Sequence, residues 1–550
     1  MKRQVLKIHP NDNVIVALTD LKKGETTSLD GVLFELQDDI PAKHKFAEHD
    51  FAAGDQIYMY GVLVGKAQQA IPKGGWINTF NVKHSAQAYS GRQANLNWHK
   101  PDVSKFENRT FMGYHRADGR VGTANYWVVV PMVFCENQNV GVIREALLKE
   151  LGYTPANQYQ SYTKSLITAY QNGVNLTEFD YQEAPTAQGA SSKSLLFPNV
   201  DGIKFLTHEG GCGGTRDDAQ TLCRLLAGYI THPNVAGATV LSLGCQNAQV
   251  KILQDAIAAI DPQFSKPLYI FDQQAIGNED DMLRQAIRQT FIGLTLANQC
   301  TRQPASLKHI NLGVECGGSD GFSGISANPA VGYCADLLAT LGGKVMLAEF
   351  PELCGVEQEL INRCVTEEIA SKFMTIQTAY ARRAEAVGSG FDMNPSPGNI
   401  KDGLITDAIK SAGAAKKGGT SPVTDVLDYT EQAKEAGLNL LCTPGNDGEC
   451  TTGLAGSGAN VIMFTTGLGN PMGNPVCPVL KISSNSRLAQ RMGDIIDIDA
   501  GLVITGEKTI EEMGEDLLEI CIATASGEYI PKAVSLGHDD FIPWKRGVSL

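Results

Sequence analysis

Residues 1–85 alternate hydrophobic and polar positions in short runs, as in NVIVALTDL, GVLFEL and QIYMYGVLVGKA. Alternation with a period of two is typical of β-strands that have one buried face. The runs are separated by KKGE, AAGD and PKGG, clusters rich in residues that favour turns. The pattern predicts a small all-β domain over residues 1–85, followed by a polar, aperiodic linker over residues 86–110.

Beyond the linker, nearly continuous apolar runs alternate with segments of helical length. The runs include YWVVVPMVF, GIKFLTHEG, GATVLSLG, HINLGVE, KVMLAEF, LNLLCTPG and NVIMFTTG. Strands of a parallel sheet have this composition because helices cover the sheet on both faces. We therefore predict an α/β fold, with a central α/β domain over residues 111–300 and a C-terminal α/β domain over residues 301–550.

Composition and charge narrow the class of protein. The 550 residues carry a formal charge of −14, with acidic and basic residues mixed along the chain, so we expect neither a nucleic acid nor a membrane as a partner. The thirteen cysteines follow no small disulfide framework, and the N-terminus does not resemble a signal peptide. Free thiols in the cytoplasm are the expected state.

Cysteines follow three of the predicted strands. LTHEGGCGGTRDD contains Cys212, LSLGCQN contains Cys245 and LGVECGGSD contains Cys316. Because the carboxyl ends of parallel strands open on one edge, the three thiols could converge there on zinc, iron or an iron–sulfur cluster with one open iron. The alternative is that each cysteine is a small buried hydrophobic residue.

Two histidines are candidates for proton transfer near neutral pH. His208 stands four residues before Cys212, and His44 lies between Lys43 and Lys45, where the positive charge suits a carboxylate substrate. A hydrogen-bonded core histidine is the alternative for His208, and a solvated surface residue is the alternative for His44.

Nucleotide and serine-hydrolase chemistry lack their motifs. GLAGSG has dinucleotide-binding spacing, but it precedes the apolar run NVIMF instead of following a strand. The sequence contains neither a GxxxxGK[ST] phosphate loop nor a GxSxG elbow, so we expect no nucleotide cofactor. The polar turns NPSPGN, TPGNDGECTTGLAGSGAN and KISSNS could instead contact carboxylates and hydroxyls.

Several of these motifs resemble those of a known family. ECGGSDGFSGISANP, NPSPGN, PGNDGECTTGLAGSGA and YHRADGRVGTAN are similar to signatures of the altronate and galactarate dehydratases, and the resemblance covers almost the full length. It implies an N-terminal β-clip module of the SAF type and a C-terminal Rossmann-like parallel sheet. It also implies iron-dependent dehydration of a sugar acid.

Residue roles follow from the resemblance and the residue patterns together. The candidate metal ligands are Cys212, Cys245, Cys316 and Asp320. The candidate general base is His208, with His44 as an acid or substrate clamp. The candidate substrate contacts are Lys43, Lys45, Asn125, Asn328 and Lys481. The expected cofactor is Fe(II), with Mn(II) or an iron–sulfur cluster as alternatives.

The expected reaction converts D-altronate to 2-keto-3-deoxy-D-gluconate by removal of the C2 proton and loss of the C3 hydroxyl. Altronate ranks first because TTGLGNPMGNPVCPVLKISSN resembles the altronate enzymes. However, Asn78 and Phe80 stand at two histidine positions of the altronate pattern, so galactarate is an alternative. A non-catalytic sugar-acid-binding protein is a further alternative, and we expect a homo-oligomer, namely a dimer.

Overall fold

The computed structural model of the chain describes residues 4–93, 98–154, 158–177, 179 and 195–549. Within these, the N-terminal part contains the strands β1 (Val5–Leu6), β2 (Val14–Ala17), β3 (Thr26–Leu29), β4 (Val32–Glu35), β5 (Lys45–Ala47), β6 (Gln56–Met59), β7 (Val62–Ala67), β8 (Trp76–Ile77) and β9 (Val82–Lys83). They form small antiparallel sheets with the orders β1-β2-β5-β8, β3-β4 and β6-β7-β9. The predicted all-β module is therefore present.

The apolar residues of this module serve two cores. Phe34 and Phe46 pack in a small core of the module itself. Val16, Ile57 and Val64 instead join the large core of the C-terminal part. Because part of its buried apolar surface faces another part of the chain, the module depends on that contact for its stability.

The described residues of the predicted linker (86–93 and 98–110 of the 86–110 segment) lie over the C-terminal part. The Ser90 Oγ donates to Gln358 Oε1 at 3.0 Å, and Arg92 Nε donates to the Cys364 carbonyl at 2.9 Å. Phe106 is buried in the large core. The linker therefore fastens the module to the body of the protein.

The central part contains a four-stranded parallel sheet. Its strands and those beside it are β10 (Thr110–His115), β11 (Val121–Gly122), β12 (Tyr126–Pro131), β13 (Gly202–Phe205), β14 (Val235–Ser242), β15 (Leu268–Asp272) and β16 (Gln303–Ser306). Its helices are α1 (Asn137–Leu151), α2 (Gln158–Gln171), α3 (Arg216–Thr231), α4 (Val250–Ile260), α5 (Gln273–Ile276) and α6 (Glu279–Ala297). The parallel sheet has the order β13-β12-β14-β15, which places the carboxyl ends of β13, β12 and β14 side by side.

The C-terminal part contains a seven-stranded sheet, parallel throughout, with the order β19-β20-β18-β17-β21-β22-β23. Its strands are β17 (Asn311–Cys316), β18 (Lys344–Leu347), β19 (Val423–Leu427), β20 (Gly437–Leu441), β21 (Val461–Thr466), β22 (Val479–Ser483) and β23 (Ile498–Asp499). Its helices are α7 (Ala327–Thr340), α8 (Glu357–Arg363), α9 (Glu367–Ala386), α10 (Pro397–Lys401), α11 (Asp407–Ala415), α12 (Asp447–Gly456), α13 (Ser486–Arg491), α14 (Leu502–Thr505), α15 (Ile510–Ser526) and α16 (Lys532–Ser535). The predicted fold class is confirmed.

The central and C-terminal parts pack closely together. Helix α3 lies against α12, and a side chain on Gly228 would overlap the Gly456 carbonyl. β10 pairs antiparallel with both β11 and β16, which brings the two ends of the central part into one small sheet.

The domain boundaries at residues 85, 110 and 300 stay a prediction. None of the described helices combines the length and apolar character needed to cross a bilayer.

Candidate active site

Two of the predicted ligand cysteines lie at the carboxyl edge of the central sheet. Cys212 follows β13 and Cys245 follows β14, the two strands that flank β12. Both cysteines are exposed. The loops that carry them touch, because the Ala248 backbone N–H donates to the Gly211 carbonyl at 3.0 Å.

Cys316 belongs to a different site. It ends β17 in the seven-stranded sheet, is buried, and its Sγ lies 2.6 Å from Lys417 Nζ and 3.3 Å from Glu352 Oε2. Among the described residues, the compact groups of metal-type donor atoms do not include Cys212, Cys245 and Cys316 together. The predicted compact centre shared by these three sulfurs is therefore wrong, because β17 and β14 belong to separate sheets.

Buried charges surround Cys316. Lys417 Nζ lies 2.7 Å from Glu349 Oε2, and Lys410 Nζ lies 2.6 Å from Glu352 Oε1. Burial raises the pKa of Glu349, and the nearby Glu352 carboxylate raises it further. Burial acts to raise the pKa of Glu352 as well, but Lys410 and Lys417 lower it overall. The carboxylates and ammonium groups of this cluster thus compensate one another.

This cluster does not fit a metal ion as it stands. One compact donor group joins Cys316, Glu349 and Glu352, and another joins Glu315, Glu349 and Cys450. Lysine already pairs with the carboxylates of the first group, and burial raises the pKa of Glu315 well above its ordinary value, which favours its neutral form. A divalent cation would have to displace an ammonium group that is already neutralising the site.

His208 is held by backbone on both sides. Its Nε2 lies 2.7 Å from the Pro131 carbonyl, and its Nδ1 accepts from the Gly210 backbone N–H at 3.0 Å. Burial lowers its pKa to about 4, so the ring is neutral at pH 7. These contacts anchor the loop after β13 and occupy both ring nitrogens. The assignment of His208 as the general base stays a prediction, and it requires this loop to rearrange.

A cavity of about 700 Å³ opens beside this loop, between the central part and the C-terminal part. Its lining includes His208, Cys212, Asn247, Glu449 and Lys545. The volume is in the ordinary range for small-molecule sites. Burial raises the pKa of Glu449 to about 7, and a carboxyl group with this pKa can exchange a proton near neutral pH.

The β-clip lysines and histidine contact the C-terminal part. Lys43 Nζ lies 3.0 Å from Asp320 Oδ2, and Lys45 Nζ donates to the Gly403 carbonyl at 2.6 Å. His44 Nε2 lies 3.0 Å from the Lys401 carbonyl, and its Nδ1 accepts from the indole N–H of Trp76. His44 is buried, so the surface alternative is wrong. In this conformation the three residues dock the module, and their predicted catalytic and substrate roles stay predictions.

Asp320 lies at the centre of this docking contact. One of its carboxylate oxygens accepts from Ser484 Oγ at 2.7 Å, and the other accepts from Asn485 Nδ2 at 3.1 Å besides pairing with Lys43. The backbone N–H groups of Phe322 and Ser323 also donate to it. Because protein donors already occupy both oxygens, the structure assigns Asp320 an anchoring position, not that of a free metal ligand.

The other predicted substrate contacts lie inside the fold. Asn125 donates to the Asn199 and Ala297 carbonyls and is fully buried. Asn328 donates to the Gly413 carbonyl and accepts from Thr465.

Lys481 is also fully buried, and its Nζ lies 3.2 Å from the centre of the Phe464 ring. Neither asparagine nor Lys481 lines the large cavity. All three side chains are buried away from the cavity. Their contact with substrate stays a prediction that this geometry does not support.

Sequence reasoning missed two residues at this site. Cys135 follows β12 in YWVVVPMVFCEN, the same strand-end position as Cys212 and Cys245, so the same rule could have found it. Glu449 belongs to PGNDGECTTG, which the sequence pattern predicts to be a polar turn that contacts ligands, but the structure places it in the first turn of helix α12. Its raised pKa depends on burial, which only the tertiary structure reveals.

Three family models match the chain. Residues 3–85 match the altronate/galactarate dehydratase SAF domain, residues 113–298 match the second domain of D-galactarate dehydratase/altronate hydrolase, and residues 307–549 match the C-terminal domain of D-galactarate/altronate dehydratase. Together with the fold, these matches define the class of protein: an enzyme, specifically a carbon–oxygen hydro-lyase.

Relatives extend the match over nearly the whole chain. It is 32% identical to altronate dehydratase of Escherichia coli (strain K12) and 31% identical to altronate dehydratase of Bacillus subtilis (strain 168), each over 96% of both chains. It is 33% identical to galactarate dehydratase (L-threo-forming) of Escherichia coli (strain K12), over 95% of this chain and 93% of that protein. The chain belongs to the altronate/galactarate dehydratase family and is a sugar-acid dehydratase.

Proposed function

We propose that this enzyme dehydrates D-altronate to 2-keto-3-deoxy-D-gluconate in the cavity beside Cys212. The main observation in support is that one cavity combines the exposed Cys212 thiol with the carboxyl group of Glu449, whose pKa burial raises to about 7. The similarity to two altronate dehydratases over 96% of the chain supports altronate as the substrate. The reaction removes the C2 proton, expels the C3 hydroxide, and gives an enol that becomes the 2-keto acid.

In this proposal Glu449 removes the C2 proton. A base with a pKa near 7 is largely ionised above neutral pH and still basic enough to accept a proton. His208, the base predicted from sequence, has both ring nitrogens bonded to backbone, so Glu449 replaces it. Lys545, which also lines the cavity, supplies an ammonium group for the substrate carboxylate.

The proposed reaction includes Fe(II), with Mn(II) as the alternative. The C2 proton lies next to a carboxylate, so its removal builds a second negative charge that a cation must stabilise. The residues that would hold the metal are Cys212 and Cys245, whose exposed thiols lie at one sheet edge and suit a soft or borderline metal. Held by these thiols, the metal would supply positive charge near the developing enolate and Lewis acidity for loss of the hydroxyl.

Galactarate is the second candidate substrate. The chain is 33% identical to a galactarate dehydratase, and Asn78 and Phe80 replace the two histidines of the altronate pattern. Galactarate has a carboxylate at each end, so its binding would require a second cation at the far end of the cavity. Among the described residues that line the cavity, Lys545 is the one lysine. A single cation favours a substrate with one carboxylate, as in altronate.

The test uses the full chain, purified without oxygen and supplied with ferrous iron. D-Altronate, galactarate and two other sugar acids are compared by formation of 2-keto-3-deoxy acid. We expect the highest kcat/KM with altronate and loss of turnover after treatment with a chelator. Higher kcat/KM with galactarate would overturn the altronate assignment, and full turnover by protein shown to be metal-free would overturn the role of the metal.

A further inference from the structure

A second cavity, of about 300 Å³, has a lining rich in positive charge. Five of its residues have side chains that can carry a positive charge, namely Arg120, Lys308, His309, Lys344 and Lys434. None of the described residues that line this cavity is an aspartate or a glutamate. Such a lining stands out in a chain with a formal charge of −14, and we call this cavity the basic pocket.

The basic pocket lies at the amino edges of both parallel sheets. Asn311 and Lys344 begin the neighbouring strands β17 and β18, and Pro233 stands two residues before β14. The 700 Å³ cavity instead includes the loop that follows the carboxyl end of β13. The eight residues of β14 span about 26 Å between these two edges, and the two linings share no described residue. The basic pocket is therefore separate from the proposed active site.

The positive charges of the basic pocket are not neutralised in pairs. Among the described residues, no carboxylate lies within ion-pair distance of Lys308, Lys344 or Lys434. Burial lowers the pKa of Lys344, and the charge of Arg120 lowers it further. Burial and then the charge of Lys308 lower the pKa of His309. Because these cations repel one another, an anion in the pocket would relieve the repulsion.

Two buried polar atoms beside the pocket have no hydrogen-bond partner among the described residues. Ser457 lines the pocket and is fully buried, and its Oγ is unpaired. Asn311 Nδ2 donates to the Gly458 carbonyl at 2.8 Å, but the Oδ1 of the same buried side chain is also unpaired. Most buried polar groups in proteins are paired, because an unpaired group costs free energy. A ligand in the pocket would supply the missing partners.

We propose that the basic pocket binds a small anion that also carries hydroxyl groups, either a sugar phosphate or a hydroxy acid. The lysines supply the charge that holds a phosphate or carboxylate group. The amide oxygen of Asn311 can only accept a hydrogen bond, so its partner must be a donor such as a hydroxyl group. A volume of about 300 Å³ is at the lower end for small-molecule sites, so the ligand is small. The inference concerns a second ligand and does not depend on which sugar acid the enzyme dehydrates.

Helix α12 connects the two sites. Its first turn carries Glu449, which lines the 700 Å³ cavity, and Ser457 at its C-terminal end lines the basic pocket. The carbonyls at this helix end are already paired, since Gln432 Nε2 donates to the Gly456 carbonyl at 2.6 Å and the Ala433 N–H donates to the Ser457 carbonyl at 3.1 Å. The negative end of the helix dipole is thus partly compensated before an anion binds. A ligand in the basic pocket therefore contacts the helix that positions the proposed base.

The experiment measures binding to the full chain by isothermal titration calorimetry at pH 7 and low ionic strength. The probes are D-glucose 6-phosphate, D-gluconate, inorganic phosphate and uncharged D-glucose. We expect a Kd of about 10 to 100 μM for at least one of the two hydroxylated anions, weaker binding in added salt, and no binding of glucose. Tighter binding of glucose 6-phosphate would identify a sugar phosphate as the ligand, and tighter binding of gluconate would identify a hydroxy acid.

Two variants locate the binding in the basic pocket. Replacing both exposed lysines, Lys308→Gln with Lys434→Gln, should raise the Kd at least about tenfold. Ser457→Ala should raise the Kd about 3- to 10-fold without lowering stability towards urea, because it removes a hydroxyl that is unpaired in the free protein. Lys149→Gln is the matched control, since Lys149 is an exposed lysine on α1, and it should leave the Kd unchanged.

Failure of both hydroxylated anions to bind would overturn the proposal, as would binding that the double lysine variant leaves unchanged. Inorganic phosphate that binds as tightly as glucose 6-phosphate, or an unchanged Kd in Ser457→Ala, would overturn the role of the hydroxyl groups. A protein that binds the anion in this pocket but dehydrates no sugar acid would overturn the proposed function and leave this inference standing.

Discussion

Glu449→Gln separates the chemistry of the proposed base from its effect on stability. Burial raises the Glu449 pKa from 4.5 to about 7 in the folded chain. That difference corresponds to about 3 kcal/mol before solvent screening, and for this half-buried carboxyl group we expect about 1 to 2 kcal/mol. Glutamine keeps the size of the side chain and removes both the charge and the basicity.

The sign of the stability effect follows from the direction of the shift. The folded protein binds the proton more tightly than the unfolded chain does, so stability is fully present below pH 4.5 and is lost as the pH rises through about 7. Glutamine cannot ionise and escapes that loss. We therefore expect Glu449→Gln to raise stability towards urea by about 1 to 2 kcal/mol at pH 8, and by less at pH 5.

Activity should change in the opposite direction. Loss of a general base lowers kcat by about 100- to 10,000-fold. In the unaltered enzyme, kcat/KM should fall about tenfold per unit below pH 7, since only the ionised carboxylate accepts the proton. The assays are 2-keto-3-deoxy acid formation between pH 5 and 9, and urea denaturation at pH 5 and 8.

Glu528→Gln is the matched control, because Glu528 is an exposed glutamate on the surface of the C-terminal part. It should change neither kcat nor the pH dependence of stability. Full activity in Glu449→Gln would refute the assignment of the base. An equal change in stability at pH 5 and pH 8 would refute the reasoning from burial.

Three further predictions concern buried contacts. Lys417→Met should lower the free energy of unfolding by about 3 to 5 kcal/mol in urea denaturation, because Glu349 loses its cation. Adding Glu349→Gln should recover part of that loss, and no recovery would contradict the pairing. Gly211→Ala should lower stability by about 1 to 3 kcal/mol and reduce the iron content of protein purified with ferrous iron, because alanine is strained at φ +97°. Unchanged iron content would argue against the role of this loop. Lys43→Ala should leave Asp320 without its cation and speed limited proteolysis within residues 86–110, and an unchanged rate would show that the ion pair does not hold the module in place.

The pattern of the chain predicted the module and the sheets well. Alternation over residues 1–85 comes from strands with one buried face, and such strands form the small sheets of the N-terminal part. The continuous apolar runs at β12 and β17 come from strands buried on both faces. In both cases the pattern is local, because the order of apolar and polar residues within one strand reflects which of its faces are buried.

The docking of the β-clip could not be read from the sequence in the same way. His44 and Lys45 stand among charged and polar neighbours, which is typical of a surface, yet both are buried. Their partners are backbone carbonyls more than 350 residues away, at Lys401 and Gly403. A local pattern carries no information about a partner at that distance in the chain.

The sequence by itself determined the fold class and the family, and it showed that several cysteines follow predicted strands of parallel sheets. Only the tertiary structure decided which strand ends share an edge. It assigned Cys316 to a buried cluster with Lys417, and it brought Cys135 to the edge that carries Cys212 and Cys245. The physical reason is that hydrophobic periodicity records whether a strand is buried, whereas the order of strands in a sheet is set by packing between distant segments.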